Sequence, residues 1–334
     1  MLENLHIQNF RLFRNFKIEN LARVNLIVGK NNVGKSSLLE AVNLLVRQYD
    51  SNELRETVLN MLKQRGETLE RDRIYLLQHL FFGHKFETAT PISLESNGFG
   101  LHIQAQPDQN QLVITPKISQ EIQIKGVNAD GYFKAGAEPV YPPAIKSINI
   151  QHITTGSSDK YRLRWLWDQI QLTLKEDDVV RLLQVMDSRV ERIAFRATDP
   201  EALVKLENSA PLPLGNLGDG MSHLLSIAIA LVTAADGYLL VDEIDTGLHY
   251  RTITDMWQVV MATAVRHNVQ IFATTHSWDC IRSFAEALDT QTDDQNIGKL
   301  FRLERRGANI VAVEYTADDL AVVISQNVQN LEVR

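Results

Sequence analysis

The chain has 334 residues, 44% hydrophobic and 22% charged, enough for one large α/β domain with insertions or for two ordinary domains. Its 34 Lys and Arg against 41 Asp and Glu give a net charge of −7, which argues against a surface that binds nucleic acid everywhere but leaves local patches open. No apolar run of about eighteen residues marks a membrane span, and the start MLENLHIQNF lacks the regions of a signal peptide. The expectation is therefore a cytoplasmic protein with no membrane partner. Cys280 is the single cysteine; it excludes an internal disulfide and a Cys-based zinc site, and it reads as a packed thiol.

In chain order, Leu5–Ile7, the turn-like Asn9-Phe10-Arg11 and the apolar run Val24–Val28 (VNLIV) open the molecule as strands and a turn. A glycine loop follows. Beyond it Leu38, Val42, Leu45 and Val46 have the spacing of one helix face, so the local order is strand, loop, helix. Residues 50–80 are charged and helical in pattern. From about Ile92 to Ile153, segments such as ISLES, LHIQAQ, QLVITPKI and SINIQHI alternate between Gly, Pro and Asn and read as antiparallel strands. Thr173-Leu174-Lys175-Glu176 has capping-box spacing ahead of Val179, Leu182, Leu183 and Met186. After Pro213 the α/β pattern resumes with HLLSIAIALVTA as helix, GYLLVDE as strand, a helix with Ile253, Met256, Trp257, Val260 and Ala264 on one face, and VQIFATTH as strand. Two strands joined by a helix imply a parallel pair. The tail adds KLFRLERR and NIVAVEY as strands, then a helix for which Asp318-Asp319 supply the first turn after Thr316.

Three motifs carry chemistry. Gly29 to Ser36 fills every fixed position of G-x-x-x-x-G-K-S between a strand and a helix. Its glycines let backbone N–H groups turn inward, and the helix N-terminus adds positive potential, so a polyphosphate is held with few side-chain charges. In such a loop Lys35 reaches the β/γ-phosphates and the Ser36 hydroxyl ligates Mg²⁺. The second motif is Tyr238-Leu239-Leu240-Val241-Asp242-Glu243. A carboxylate pair at a strand end is by itself more often solvated surface. Beside a phosphate loop, Asp242 suits Mg²⁺, and Glu243 suits the polarising of a water that attacks the γ-phosphorus. The third is Thr274-Thr275-His276-Ser277, whose His276 ring can donate to a γ-phosphate; His249 is a weaker candidate. All three motifs emerge at carboxyl ends of strands, where ligands gather in such sheets.

These stretches resemble a family: NFRLFRNF, NLIVGKNNVGKSSLLEA, the GDG of Gly218-Asp219-Gly220, LLVDEIDTGLH and FATTHS are similar to the ABC-class ATPase domains of RecF, the SMC proteins and the OLD (overcoming lysogenization defect) nucleases, with an OLD-like AAA-family head the nearest type. The resemblance implies an α/β P-loop NTPase fold of ABC ATPase-head type: a mixed sheet with helices on both sides, an antiparallel β region and a helical insertion. It divides the chain into 1–49 (first part of the ATPase core, with Walker A), 50–90 (helical insertion), 91–153 (antiparallel β), 154–199 (helical) and 200–334 (second part of the core). It implies that Gly29, Lys30, Asn31, Asn32, Val33, Gly34, Lys35, Ser36 and Ser37 form the Walker A loop around ATP. Ser36 and Asp242 would hold Mg²⁺, with Glu243 and His276 acting beside Lys35 in hydrolysis. Ile244–Leu248, with Asp245, would be the D-loop, and Leu217–Met221 the signature motif, with Gly218 and Asp219 departing from L-S-G-G-Q. Gln78 is the candidate for the Q-loop glutamine.

In this class two heads sandwich two ATP molecules, so the resemblance implies a homodimer or higher oligomer. The chain lacks the TOPRIM domain of OLD nucleases and the long coiled coil of SMC proteins, so the expectation is an ATP-driven switch for a separately encoded effector, such as a TOPRIM-type nuclease, in DNA maintenance or phage defence. The alternative is a RecF-like DNA clamp, with Arg11, Arg14, Lys17, Arg23, Lys63, Arg65, Arg71 and Arg73 as phosphate contacts. A transporter subunit and a small-molecule kinase are disfavoured, for want of a coupling partner and of an acceptor lid.

Overall fold

The computed structural model of the protein describes residues 1–66, 68–69, 74–85, 90–109, 111–117, 122–125, 132–134, 148–154, 160–196, 200–290, 297–316 and 319–322. Strands β1 (Leu5–Phe10), β2 (Phe13–Ile18) and β3 (Val24–Val28) precede helices α1 (Lys35–Val46) and α2 (Ser51–Gln64). Then come β4 (Thr68–Leu69), β5 (Ile74–Leu76), β6 (Ile92–Ser96), β7 (Phe99–Gln106), β8 (Gln111–Pro116), β9 (Ile122–Lys125), β10 (Tyr132–Lys134) and β11 (Ile150–Ile153). Helices α3 (Lys160–Asp168) and α4 (Leu174–Gln184) lead to β12 (Val190–Phe195), β13 (Ala202–Leu206) and β14 (Leu212–Pro213). The remainder alternates: α5 (Asp219–Thr233), β15 (Tyr238–Val241), α6 (Tyr250–Arg266), β16 (Gln270–Thr274), α7 (Trp278–Asp289), β17 (Gly298–Arg306) and β18 (Asn309–Tyr315).

The central sheet has the order β11-β15-β16-β3-β17-β18. Its first five strands run parallel and β18 closes it antiparallel. Covered on both faces, its strands β3, β15 and β16 are buried at every position. Val24, Leu26, Val28, Leu239, Val241, Ile271 and Ala273 face one core, with the side chains of α5, α6 and α7. Ile27, Leu240 and Phe272 face a second core with α1, α2 and a second sheet. That sheet is antiparallel, in the order β2-β1-β6-β7-β8-β9. Helix α1 lies between the two sheets, which explains why it is buried almost all round rather than on the single face its apolar spacing suggested. Buried amides stitch the chain start to the central sheet. Gln270 accepts from the Leu2 N–H at 2.7 Å and donates to the Leu2 and Ala22 carbonyls, both at 2.8 Å.

Three expectations need correction. The helical pattern of 50–90 ends at Gln64, with Gly66 at φ 68, and strand pieces β4 and β5 follow; a left-handed glycine stops a helix whatever charge pattern continues beyond it. SINIQHI is not antiparallel, because β11 pairs parallel with β15 as an edge strand of the central sheet. Within 154–199, Val190–Phe195 is a strand; a register shift between Val190 and Arg192 breaks its two-residue period. Thr173 does cap α4, accepting from the Lys175 N–H, while Glu176 accepts from the Leu172 N–H. Arg71, Arg73 and Asp318 lie outside the described residues.

Candidate functional site

The carboxyl ends of β3, β15 and β16, neighbours in the central sheet, bring the three motifs to one edge. At the end of β3 the loop curls back through Gly29 (φ 144), Asn32 (φ 61) and Gly34 (φ 99) into the first turn of α1. Both fixed glycines have a steric reason. A Cβ at Gly29 would stand 2.7 Å from the Leu303 carbonyl oxygen, and one at Gly34 would stand 2.9 Å from the Phe13 ring. The loop is thus closed against protein on one side, while Lys30, Asn31 and Asn32 are exposed on the other. Lys35 arches over it, with Nζ donating to the Gly29 and Lys30 carbonyls at 2.8 and 3.2 Å. Burial lowers the Lys35 pKa, and the charges of Asp242 and Glu243 oppose that shift.

Ser36 Oγ donates to Asp242 Oδ2 at 2.7 Å. The other carboxylate oxygen, Oδ1, accepts from Thr274 Oγ1, and the same threonine oxygen accepts from the Glu243 N–H at 2.9 Å. Glu243 itself has φ 55, a left-handed conformation that costs a side-chain-bearing residue of order 1–3 kcal/mol and clusters at functional sites. Its Oε1 is 3.5 Å from His276 Nδ1, and both side chains are substantially exposed. Thr275 Oγ1 donates to Asp245 Oδ1 at 2.7 Å and accepts from the Ser277 N–H. The hydroxyl, two carboxylates and the imidazole therefore form one connected group, with the Lys35 ammonium in their electrostatic reach.

The GDG segment sits elsewhere. Gly218 caps α5 at φ 96 and a Cβ there would meet nothing within 4 Å. At Gly220 a Cβ would fall 2.1 Å from the Gly247 oxygen, so the segment rests on the residues likened to a D-loop, backbone against backbone. Gln78 lies in the turn Leu77–Leu80, where the Arg11 N–H donates to the Leu80 carbonyl and Arg11 Nη1 to that of His79. The strand end flanking β15 is that of β11, with Gln151 and His152. His249 caps α6 by accepting from the Arg251 N–H, and Cys280 is buried with its pKa pushed well up by desolvation.

Sequence reasoning missed the roles of five residues. Thr274 and Thr275 were visible only as flanks of His276, although both are fully buried. His223 on α5 faces the backbone of Glu243 and Ile244, and burial lowers its pKa. Arg65 bonds Glu40 at 2.6 Å and Ser37 Oγ at 3.2 Å, at the base of the phosphate loop. Arg11 is only 4% exposed and its Nε lies 3.2 Å from Glu40 Oε2, which removes it from the surface cations able to touch DNA. Only three-dimensional proximity reveals these contacts.

The donor set suits magnesium and a nucleotide triphosphate. Its metal-facing atoms are oxygens, as a hard cation prefers, and the loop is a backbone cradle that any side chain at its two fixed glycines would distort. Residues 1–125 match the family described as "AAA ATPase domain", and residues 157–279 the family described as "AAA domain, putative AbiEii toxin, Type IV TA system". A Helicobacter pylori protein named "ATP/GTP phosphatase" is 24% identical over 99% of this chain and 100% of its own length. The "DNA replication and repair protein RecF" of Trichormus variabilis is 40% identical over 75 residues, 21% of this chain and 20% of that protein. The "Septu protein PtuA" of Bacillus mycoides is 22% identical over 83% of this chain and 38% of its own. Among solved structures, an SMC head bound to the C-winged helix domain of ScpA superposes with a TM-score of 0.54, at 13% identity, over 94% of this chain and 97% of that one. Phosphate loop, strand order and matches at both ends of the chain agree: the protein is an ATPase with AAA ATPase domain matches over residues 1–125 and 157–279 and the fold of an SMC head.

Proposed function

We propose that the protein is an ATP-driven switch whose two heads close around MgATP and whose state is read by a separately encoded effector, such as a nuclease, in DNA maintenance or phage defence. The observation that carries the reading is the hydrogen-bonded chain from Ser36 through Asp242 and Thr274 to Glu243, beside Lys35 and His276. Two features support closure with a second head: Gly218 faces open space, and Gly220 on the same helix backs onto Gly247. An exposed helix N-terminus of this kind suits the outer face of a γ-phosphate. The similar SMC head was solved with ScpA bound to it, which is compatible with a protein partner here.

Each residue has its own part in the reaction. Backbone N–H groups of the loop and the Lys35 ammonium neutralise the phosphates. Magnesium, when held by Ser36 and Asp242, would supply Lewis-acid stabilisation of phosphate charge. Glu243 orients the attacking water and accepts its proton, and His276 donates to the γ-phosphate oxygen. Thr274 fixes Asp242 and the Glu243 peptide to the same strand end. A RecF-like DNA clamp is the second reading, favoured by the RecF match and by the exposed Arg14 and Lys17 of β2.

The test is steady-state ATP turnover per subunit as protein concentration rises, with Glu243→Gln as the blank. A rate that climbs and then saturates supports a site assembled from two heads. A rate independent of concentration from a particle of monomeric mass sinks it.

A further inference from the structure

The strand end that carries His276 is fastened by one buried hydroxyl. Thr275 is fully buried, and its Oγ1 donates to Asp245 Oδ1 at 2.7 Å while accepting from the Ser277 N–H at 3.0 Å. A buried hydroxyl costs free energy unless it is hydrogen-bonded, and this one is satisfied both as donor and as acceptor. The bond from Ser277 spans His276, a side-chain turn that fixes the peptides on both sides of the imidazole. With its side chain 55% exposed, His276 is aimed by that backbone more than by packing. The Thr275 N–H donates to the Ile27 carbonyl at 3.2 Å, so the same residue also holds this strand end to β3, which launches the phosphate loop.

The acceptor, Asp245, lies two residues beyond Glu243. Between them the two segments are laced together: the Glu243 N–H donates to Thr274 Oγ1 at 2.9 Å and the Ile244 N–H to the Thr274 carbonyl at 3.0 Å. The Thr275–Asp245 bond closes this lacing at one end, and at the other Glu243 Oε1 stands 3.5 Å from His276 Nδ1. We propose that Thr275 and Asp245 are a positioning pair for ATP hydrolysis: their bond locks the turn bearing His276 to the segment that follows Glu243, and so sets the imidazole against the carboxylate. Gly247 of the same segment backs onto Gly220 at the start of α5, so a movement of that helix on closure with a second head reaches His276 through Asp245. This inference rests on Glu243 and His276 acting in hydrolysis, and the two ideas fail separately.

The test measures kcat, KM and ATP affinity in the full chain for three variants. Thr275→Val keeps the shape and loses the hydroxyl, Thr275→Ser keeps the hydroxyl, and Asp245→Ala removes the acceptor from the half-buried side of the bond. Thr275→Val and Asp245→Ala are each expected to lower kcat between about tenfold and a hundredfold, the range for a misplaced catalytic group, with ATP affinity at the wild-type value. Thr275→Ser recovers most of the rate. Adding Thr275→Val to His276→Ala costs no further rate, because both changes act through one imidazole. Wild-type kcat in Thr275→Val overturns the proposal, as does a loss that adds in full to that of His276→Ala or that Thr275→Ser fails to recover. Should Thr275→Val not fold, Asp245→Ala decides in its place, by its kcat and by its additivity with His276→Ala. If His276→Ala itself turns over ATP at the wild-type rate, the reading of His276 has failed and the pair has nothing to position.

Discussion

Ser36 Oγ and Asp242 Oδ2 meet at 2.7 Å although 206 residues of chain separate them. The bond joins the first turn of α1 to the end of β15, and so ties the first and last parts of the core at the proposed metal position. On that proposal Ser36→Ala removes both the bond and one oxygen ligand. ATP affinity in the presence of Mg²⁺ is expected to fall roughly ten- to hundredfold, with little change when Mg²⁺ is chelated. Paired titrations with a fluorescent nucleotide check this; an equal loss under both conditions would make Ser36 a phosphate contact only.

Glu243 and His276 should divide between chemistry and sensing. Glu243→Gln keeps nucleotide binding and lowers kcat by about two to four orders of magnitude, as loss of a general base does, leaving an ATP-bound dimer to accumulate on size exclusion. His276→Ala slows turnover with affinity nearly unchanged. An affinity loss matching the rate loss would move His276 from sensing to binding.

Much of this site was legible because its motifs are local. The loop 29–36 lies within one turn of backbone, and apolar runs such as VNLIV and YLLV mark strands buried on both faces. What stayed hidden depends on neighbours. The alternation of Ile150–Ile153 is the same whether the strand pairs parallel or antiparallel, so its place beside Walker B could not be read. The Arg11–Glu40–Arg65 cluster joins three segments whose charges look like solvated surface when taken singly.

Gly34→Ala should be more damaging than an ordinary loop substitution. It forces φ 99 on a residue with a Cβ and drives that carbon to 2.9 Å from the Phe13 ring. A stability loss of about 1–3 kcal/mol is expected, read as a lower urea midpoint, together with loss of ATP binding. If ATP affinity survives, the loop tolerates a conformation other than the one described.

Stability should rise with pH across the acid range through His152. Burial pushes this imidazole down to about 4, with Arg47 and Arg162 acting in the same direction and Asp242 against it. Between pH 6.5 and 4 the unfolded chain, with an ordinary imidazole, binds the proton while the folded one does not. Acid therefore favours unfolding in that window, by at most about 1.4 kcal/mol per pH unit. Denaturation of the nucleotide-free protein at several pH values should show this slope, and His152→Gln should reduce it. An unchanged slope in the variant would assign the effect to other groups.

The position of β3 has a consequence for synthesis of the protein. The strand that launches the phosphate loop is flanked on one side by β16 and on the other by β17, and Gly29 backs onto Leu303. On the ribosome, residues 24–28 emerge early, but their two hydrogen-bonding neighbours follow more than two hundred residues later. A nascent chain therefore carries the nucleotide-binding motif long before it can shape it, and folding waits on long-range pairing, which is slow. Competence to bind ATP arrives abruptly, when β17 slides in beside β3.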